Sequence, residues 1–168
     1  MNWPWDYRHV GSFPYGDEYA YATGMPLLDD CETVEDWGCG TAWAKRYRTG
    51  AYVGIDMAPK FADIVVNLSD YTSDVDGIFM RSVLEHNLEW EPILRNAVAS
   101  FRKRLVLILF TPMQDETRVL NETYNGIPNI GFAPGDIEAH FGDRPFRFED
   151  WLTDTQFGVE RMYVVDHA

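Results

Sequence analysis

Residues 34–44 read Val34-Glu35-Asp36-Trp37-Gly38-Cys39-Gly40-Thr41-Ala42-Trp43-Ala44, a β-forming run that breaks at two glycines and resumes with helical character. The pattern predicts a strand over 33–37, a tight turn, and a helix over 42–48 closed by Gly50 as its C-terminal glycine. Glycines in such a turn let the backbone bend sharply and approach a ligand without Cβ clashes. The helix that follows would aim its unsatisfied N–H groups into the crevice and favour an anion there. A second acid, Asp56, ends the next β-run 20 residues after Asp36. A carboxylate at that point can accept two hydrogen bonds from a ribose diol, so the turn and the acid together indicate an adenosine-type cofactor.

Working outward, β-like and helical runs alternate. Strands are expected at 51–56, 64–67, 77–81 and 105–110, the last apolar throughout, as suits a parallel strand covered on both faces. A helix is expected over 92–103, with Pro92 in its first turn and an apolar stripe at Ile93, Leu94, Ala97, Val98 and Phe101. The basic cluster Arg102-Lys103-Arg104 would finish that helix, where cations suit the negative end of the dipole. Residues 113–135, rich in Gly, Pro and Asn, read as a lid or as partly helical near 118–123. Asp136 has the character of an N-cap for a helix to 141. Runs at 146–152 and 159–165 with a short connection suggest a terminal antiparallel hairpin. The expected fold class is therefore α/β: a doubly wound, mostly parallel sheet of about seven strands with that hairpin at its edge.

Composition sets the outer bounds. The chain has 168 residues, fitting a single domain over 1–168. Apolar residues make up 46% and aromatics 15%, enough for a core and too many for a disordered or collagen-like chain. Lys and Arg number 14 against 27 Asp and Glu, a formal charge of −13, which disfavours nucleic acid as a partner. No apolar run reaches the ~18 residues of a membrane span, and MNWPWDYRHV lacks the pattern of a secretory signal. Cytoplasmic placement is the expectation, with a homo-oligomer left open. Two cysteines, Cys31 and Cys39, cannot build a disulfide framework or a four-ligand zinc site, so no metal is expected. Residues 1–24 carry seven aromatics (Trp3, Trp5, Tyr7, Phe13, Tyr15, Tyr19 and Tyr21) broken by Pro4, Gly11, Pro14 and Gly16. They read as an arm packed on the body, part of which could roof a pocket.

The spacing discriminates among cofactors. A nicotinamide dinucleotide site needs G-x-G-x-x-G, and the third glycine position here is Trp43. No G-K-[ST] follows, so a phosphate-binding loop of that kind is absent.

Asp36-Trp37-Gly38-Cys39-Gly40-Thr41-Ala42 resembles the D-x-G-x-G-x-G first motif of class I S-adenosylmethionine-dependent methyltransferases. Gly54-Ile55-Asp56 resembles their second acidic motif, and Asn67-Leu68-Ser69-Asp70-Tyr71 their third. Residues 76–86, DGIFMRSVLEH, are similar to the fourth-strand segment ending V-L-E-H found in the small-molecule branch. The resemblance spans about 33–111. It implies S-adenosyl-L-methionine as cofactor and a role for each matching residue. Gly38, Cys39 and Gly40 would pass the backbone along the methionine part, with Trp37 in the same turn. Asp36 would face the methionine ammonium, Asp56 the ribose, and Met57 the adenine ring. Asp70, beside Tyr71, would receive the adenine amino group, a role for which Asn67 and Asp74 compete. Arg81 and Ser82 would edge the methyl-donor side. Two positions depart from the pattern: Ala42 replaces the last motif glycine, and Arg81 at a strand end should either turn from a sulfonium or bind an anionic substrate.

The implied function is methyl transfer to an O, N or C nucleophile of a small-molecule or sugar-like acceptor. The segment after the fourth strand, Met80-Arg81-Ser82-Val83, lacks the N/D-P-P-Y/F motif of enzymes that methylate exocyclic amines of nucleic-acid bases. If a general base is used, His86 comes first because its reference pKa lies near neutrality, and Glu85 second. Each also has a plain structural reading, as a helix-start hydrogen-bonding pair beside Asn87. The competing function is a non-catalytic protein that keeps the fold for binding or assembly.

Overall fold

Nine strands and three short α-helices account for the regular structure of the computed structural model, which describes residues 7, 9–123 and 125–168. Trp3, Pro4 and Trp5 of the aromatic arm lie outside the described residues. The strands are β1 (Thr33–Trp37), β2 (Ala51–Asp56), β3 (Ile64–Val65), β4 (Val75–Arg81), β5 (Phe101–Leu109), β6 (Arg118–Glu122), β7 (Pro128–Gly131), β8 (Phe146–Leu152) and β9 (Val159–Asp166). Seven of them form one sheet in the order β3-β2-β1-β4-β5-β9-β8. β1 to β5 run parallel, and β9 enters antiparallel between β5 and β8. The chain first reverses direction across the sheet between β1 and β4, the switch point at which open α/β sheets place their ligands.

Two apolar layers cover the sheet. On one face α2 (Trp90–Ser100) lays Ile93, Leu94, Ala97 and Val98 onto Ile78, Met80, Leu105 and Leu107. On the other, α1 (Tyr19–Gly24) and the 3-10 helix Met25–Leu28 pack Tyr21, Met25 and Leu28 onto Val34, Phe79, Val106 and Ile108. The alternation along β5 assigns Leu105, Leu107 and Leu109 to the first layer and Val106 and Ile108 to the second, the two-residue period of a strand. α3 (Pro134–Glu138) seats Ile137 against the first layer.

Several sequence expectations are corrected here. The stretch after the glycine turn is a 3-10 helix of five residues, Trp43–Tyr47, not a full helix over 42–48. Arg48 ends it by donating to the Leu28 carbonyl at 2.9 Å and the Cys31 carbonyl at 2.6 Å, which pulls the chain into β2. Gly50 lies against the Arg48 guanidinium and is not in the left-handed region. β3 spans two residues rather than four.

α2 stops at Ser100, because Phe101 turns extended and pairs with Val75. Arg102, Lys103 and Arg104 therefore lie on β5 instead of finishing a helix. Arg102 and Lys103 meet Asp76, and Arg104 meets Asp30 and Asp166. Residues 113–135 contain the two-stranded hairpin β6–β7, not a helix. Asp136 sits inside α3 with Ala133 at the cap position, and its carboxylate accepts from Thr117 Oγ1.

Candidate functional site

A cleft enclosing about 750 Å³, part of it open solvent, follows the C-terminal ends of β1, β2, β3 and β4. Its floor is the turn after β1. Gly38 and Gly40 have φ of 76° and 53°, in the left-handed region glycine tolerates. The Gly38 and Cys39 amides donate to the Ile55 carbonyl at 2.7 and 3.0 Å, tying the turn to β2. A Cβ on Gly38 would stand 2.4 Å from Val83 Cγ2, so the turn and the β4 end touch with no space for a side chain. Ala42 also has positive φ, 55°, the conformation for which the motif glycine it replaces is suited.

Asp56 forms the next wall. Its Oδ2 accepts from the Gly40 amide at 2.9 Å and its Oδ1 from the Ala58 amide at 2.8 Å. Burial raises its pKa, and these backbone donors oppose the shift. Met57 lines the cleft beside it, followed by Asn67 and Leu68 from the β3 end. Tyr7, Tyr15 and Tyr21, from the described part of the aromatic segment, also line the cleft.

The third motif divides differently from expectation. Asn67 lines the cleft, whereas Asp70 is exposed and Tyr71 turns inward. The Tyr71 hydroxyl donates to Glu35 Oε1 at 3.1 Å, and its ring meets Trp37 edge-on at 5.3 Å. Trp37 is fully buried, donating from Nε1 to Glu35 Oε2 at 2.8 Å. Trp37 and Tyr71 are thus core residues built around a buried glutamate, not cleft walls. Strand alternation is the reason: Glu35 and Trp37 share one face of β1, and Asp36 takes the other. Asp36 stands behind the turn, where its Oδ2 accepts from the Tyr52 hydroxyl at 2.6 Å and burial pushes its pKa up to about 7.

At the end of β4 the cleft meets a second cavity. Tyr15, Arg81, Ser82 and His86 line both. Arg81 is buried, with Nη2 2.5 Å from Glu160 Oε1, Nη1 donating to the Tyr15 carbonyl and its guanidinium 4.5 Å from the Tyr21 ring centre. The expected choice for Arg81, to turn away or to bind an anion, resolves into an internal ion pair. Ser82 holds a left-handed φ of 56°, its amide donating to Ile108 at 3.0 Å. His86 Nδ1 lies 3.1 Å from the Pro128 carbonyl, a bond that assigns the ring proton to Nδ1 and the lone pair to Nε2. Burial lowers its pKa below 6.5, so the ring is neutral at pH 7. Glu85, the second base candidate, is fully buried and outside both cavities. Its Oε1 accepts from the Phe110 amide at 2.6 Å, and burial pushes its pKa up to about 8. Glu85 is therefore a structural acid.

The second cavity encloses about 720 Å³, again including open solvent. Phe110, Thr123 and Asn129 wall it from β5 and the β6–β7 hairpin, and Asp154, Thr155 and Gln156 from the turn between β8 and β9. Sequence reasoning missed this group. These residues sit in turn-rich segments whose contacts the topology alone decides. Among the described residues no cluster of His, Cys, Asp and Glu could hold a metal ion, and no helix is long and apolar enough to cross a membrane. Both cysteines are buried and unbridged.

No protein-family model and no curated protein sequence matches the chain. Among solved structures it is similar to the Burkholderia thailandensis 1,6-didemethyltoxoflavin-N1-methyltransferase with bound 1,6-didemethyltoxoflavin and S-adenosylhomocysteine. That match has a TM-score of 0.71 and 12% identity, covering 90% of this chain and 80% of that one. It is also similar to the Synechocystis magnesium protoporphyrin IX methyltransferase with bound SAH, at 0.67 and 16%, over 90% and 83%. The N-terminal domain of EvdMO1, in the presence of SAH and D-fucose, matches at 0.59 and 13%, over 98% and 91%. At these identities the likeness is one of fold: the chain has the Rossmann-like sheet that these structures also have.

Proposed function

We propose that the chain is an S-adenosylmethionine-dependent methyltransferase acting on a small molecule, with the donor in the cleft and the acceptor in the adjoining cavity. The carrying observation is the Gly38–Gly40 turn latched to Asp56, a bare-backbone floor beside a buried carboxylate. The solved structures of the same fold that hold SAH support the reading.

The residues fit the donor. Two glycines with positive φ keep Cβ atoms off the floor, and Asp56 lines the cleft beside it as the acceptor for a ribose diol. Met57, Leu68 and Asn67 offer apolar contact and one amide for a purine. The donor supplies a methyl group on a sulfonium and leaves as a neutral thioether, so the acceptor's proton must go elsewhere. His86 is the receiver for a hydroxyl acceptor: it lines both cavities, it is neutral, and its Nδ1 is held by the Pro128 carbonyl. Arg81, neutralised by Glu160, borders the sulfonium side without bringing net positive charge. The chain's other task is to hold both partners at near-attack distance.

Calorimetry with S-adenosylhomocysteine tests the reading: micromolar binding is expected. Asp56→Ala should abolish it and Asp70→Ala should leave it intact. An intact protein that does not bind would favour the non-catalytic alternative.

A further inference from the structure

β8 is the outer strand of the seven-stranded sheet, and among the described residues no strand pairs with its far side. An edge of this kind is a template for another strand unless charge, proline or a bulge blunts it. At the opposite edge β3 is only two residues long, whereas β8 runs for seven, Phe146–Leu152, in unbroken register with β9. All of β8 except Trp151 is exposed, Phe148 at 51% and Leu152 at 88%.

Two hydrogen bonds fix which backbone groups point outward. The Asp166 amide donates to the Pro145 carbonyl at 2.9 Å, and the Thr153 amide donates to the Gly158 carbonyl at 3.2 Å. Bonded and non-bonded pairs alternate along an antiparallel ladder, so the odd-numbered residues of β8 bond to β9. Phe146, Phe148, Asp150 and Leu152 therefore turn their N–H and C=O groups to the free edge. Pro145, which has no N–H, falls on the inward side and leaves the outer row of donors intact.

A second copy of β8 fits that row in one register. Antiparallel pairing about a two-fold axis is self-complementary: the residue on the axis meets its own copy, and its neighbours pair at equal distances to either side. Centring the axis on Arg147, Glu149 or Asp150 sets like charges against each other. Centring it on Phe148 brings two aromatic rings together and puts Arg147 opposite Glu149 of the partner subunit, twice by symmetry. Phe148 then exchanges both backbone hydrogen bonds with its own copy, and Phe146 with Asp150 of the partner subunit. The Arg147–Glu149 pairs fall at the non-hydrogen-bonded positions, where opposed Cα atoms stand about 4.5 Å apart and side chains are closest. Within its own chain Glu149 forms no ion pair among the described residues, and Arg147 meets Asp166 at 3.4 Å on the exposed surface. Asp150 is held by the Arg161 guanidinium at 2.7 and 2.8 Å, so it brings no unpaired charge to the seam.

From this self-complementarity we infer that β8 is a dimerisation edge: two copies of the chain join antiparallel through β8, centred on Phe148, into one continuous sheet. A single strand is a smaller contact than the about 800 Å² per partner of a standard interface, so the dimer forms reversibly at micromolar concentration. The −13 charge on each copy also opposes tighter association.

Sedimentation velocity of the full chain across micromolar concentrations is the test. The wild type should pass from monomer to dimer and no further. Arg147→Glu and Glu149→Arg each set like charges across the seam and should each weaken the dimer at least about tenfold. An equimolar mixture of the two variants restores opposite charges in a mixed dimer, which should form about as tightly as the wild type. Phe148→Lys sets two cations on the axis, should abolish the dimer, and is read alone, so the test survives if either charge variant does not fold. A wild type that stays monomeric or grows beyond a dimer, variants that associate as the wild type does, or a mixture that remains monomeric would each overturn the inference.

Discussion

Glu85→Gln should flatten the pH dependence of stability. Glu85 is completely buried, accepts from the Phe110 amide through Oε1, and has no partner for Oε2 among the described residues. Burial is the main cause of its rise to about 8. The Phe110 amide and Arg81 pull it down, and Glu160 pushes it further up. The folded protein thus holds a proton on Glu85 across a window in which the unfolded chain, at about 4.5, has lost it. Here the folded state binds the extra proton, so the stabilisation is complete below the unfolded pKa and is lost as pH rises through the folded one. The slope is about −1.4 kcal/mol per pH unit inside the window, or about 3 kcal/mol between pH 5 and pH 7. Glutamine keeps the carbonyl acceptor for Phe110 and cannot ionise. Urea unfolding of both proteins from about pH 5 to pH 9 is the assay, read as the difference between their free energies. That subtraction cancels contributions from other buried acids such as Asp36. The wild type should lose ground steadily against the variant up to about pH 8 and then run parallel to it. Parallel curves throughout would show that Glu85 is ionised in the folded protein and would refute the reasoning.

Two further outcomes follow from the site. Ala42→Gly should stabilise the protein by about 1 kcal/mol, because a left-handed Cβ conformation costs ~1–2 kcal/mol and part of the relief is offset by glycine's freedom when unfolded. A urea midpoint that falls, with unchanged m, would contradict a left-handed residue 42. His86→Gln should lower methyl transfer to a hydroxyl acceptor by about 10²–10⁴-fold. Wild-type turnover should decline only below pH 6.5, since burial depresses the pKa of the base. A variant within threefold of wild type would remove His86 from proton transfer.

The parallel half of the fold was legible because each of its strands announces itself locally. β1, β2 and β5 are ended by glycine, acid or proline, and the Gly77–Met80 core of β4 and the final hairpin are apolar or β-forming runs. The helices were less so. The period over 42–48 is helical, yet Arg48 reaches carbonyls about 20 residues away and shortens the element, a tertiary effect no window contains. Phe101 was read as the end of a helix stripe because its apolar character suits a strand start equally well. In the site, Gly38, Gly40, Asp56 and Met57 reach the cleft because the strand ends carry them there. Trp37 and Tyr71 do not, since side-chain alternation and Glu35 draw them into the core. Asn129 and Thr155 could not be found from sequence: they lie 26 residues apart in separate loops, and only the packing of two hairpins brings them to one hollow.

The aromatic arm follows from what the sheet lacks. Between β1 and β2 stands a five-residue 3-10 helix, and between β2 and β3 no helix among the described residues, so the cleft has no helical shoulder on that side. The described part of the arm is fastened to the body between residues 10 and 17. Val10 receives Lys60, Phe13 receives Thr41 at 2.6 Å, Tyr15 receives Arg81, and Asp17 receives Thr153 at 2.8 Å. Three of these bonds end on arm backbone carbonyls, so they fix the path of the chain whatever side chains the arm carries. The Arg81 anchor differs in being buried. A buried ion pair is costly to desolvate and is often no more stabilising than an apolar substitute. Its advantage here is directional: a guanidinium can hold Glu160 on one nitrogen and the Tyr15 carbonyl on another, which no apolar side chain can do. One residue at the end of β4 thereby ties β9 to the arm at the point where the two cavities meet.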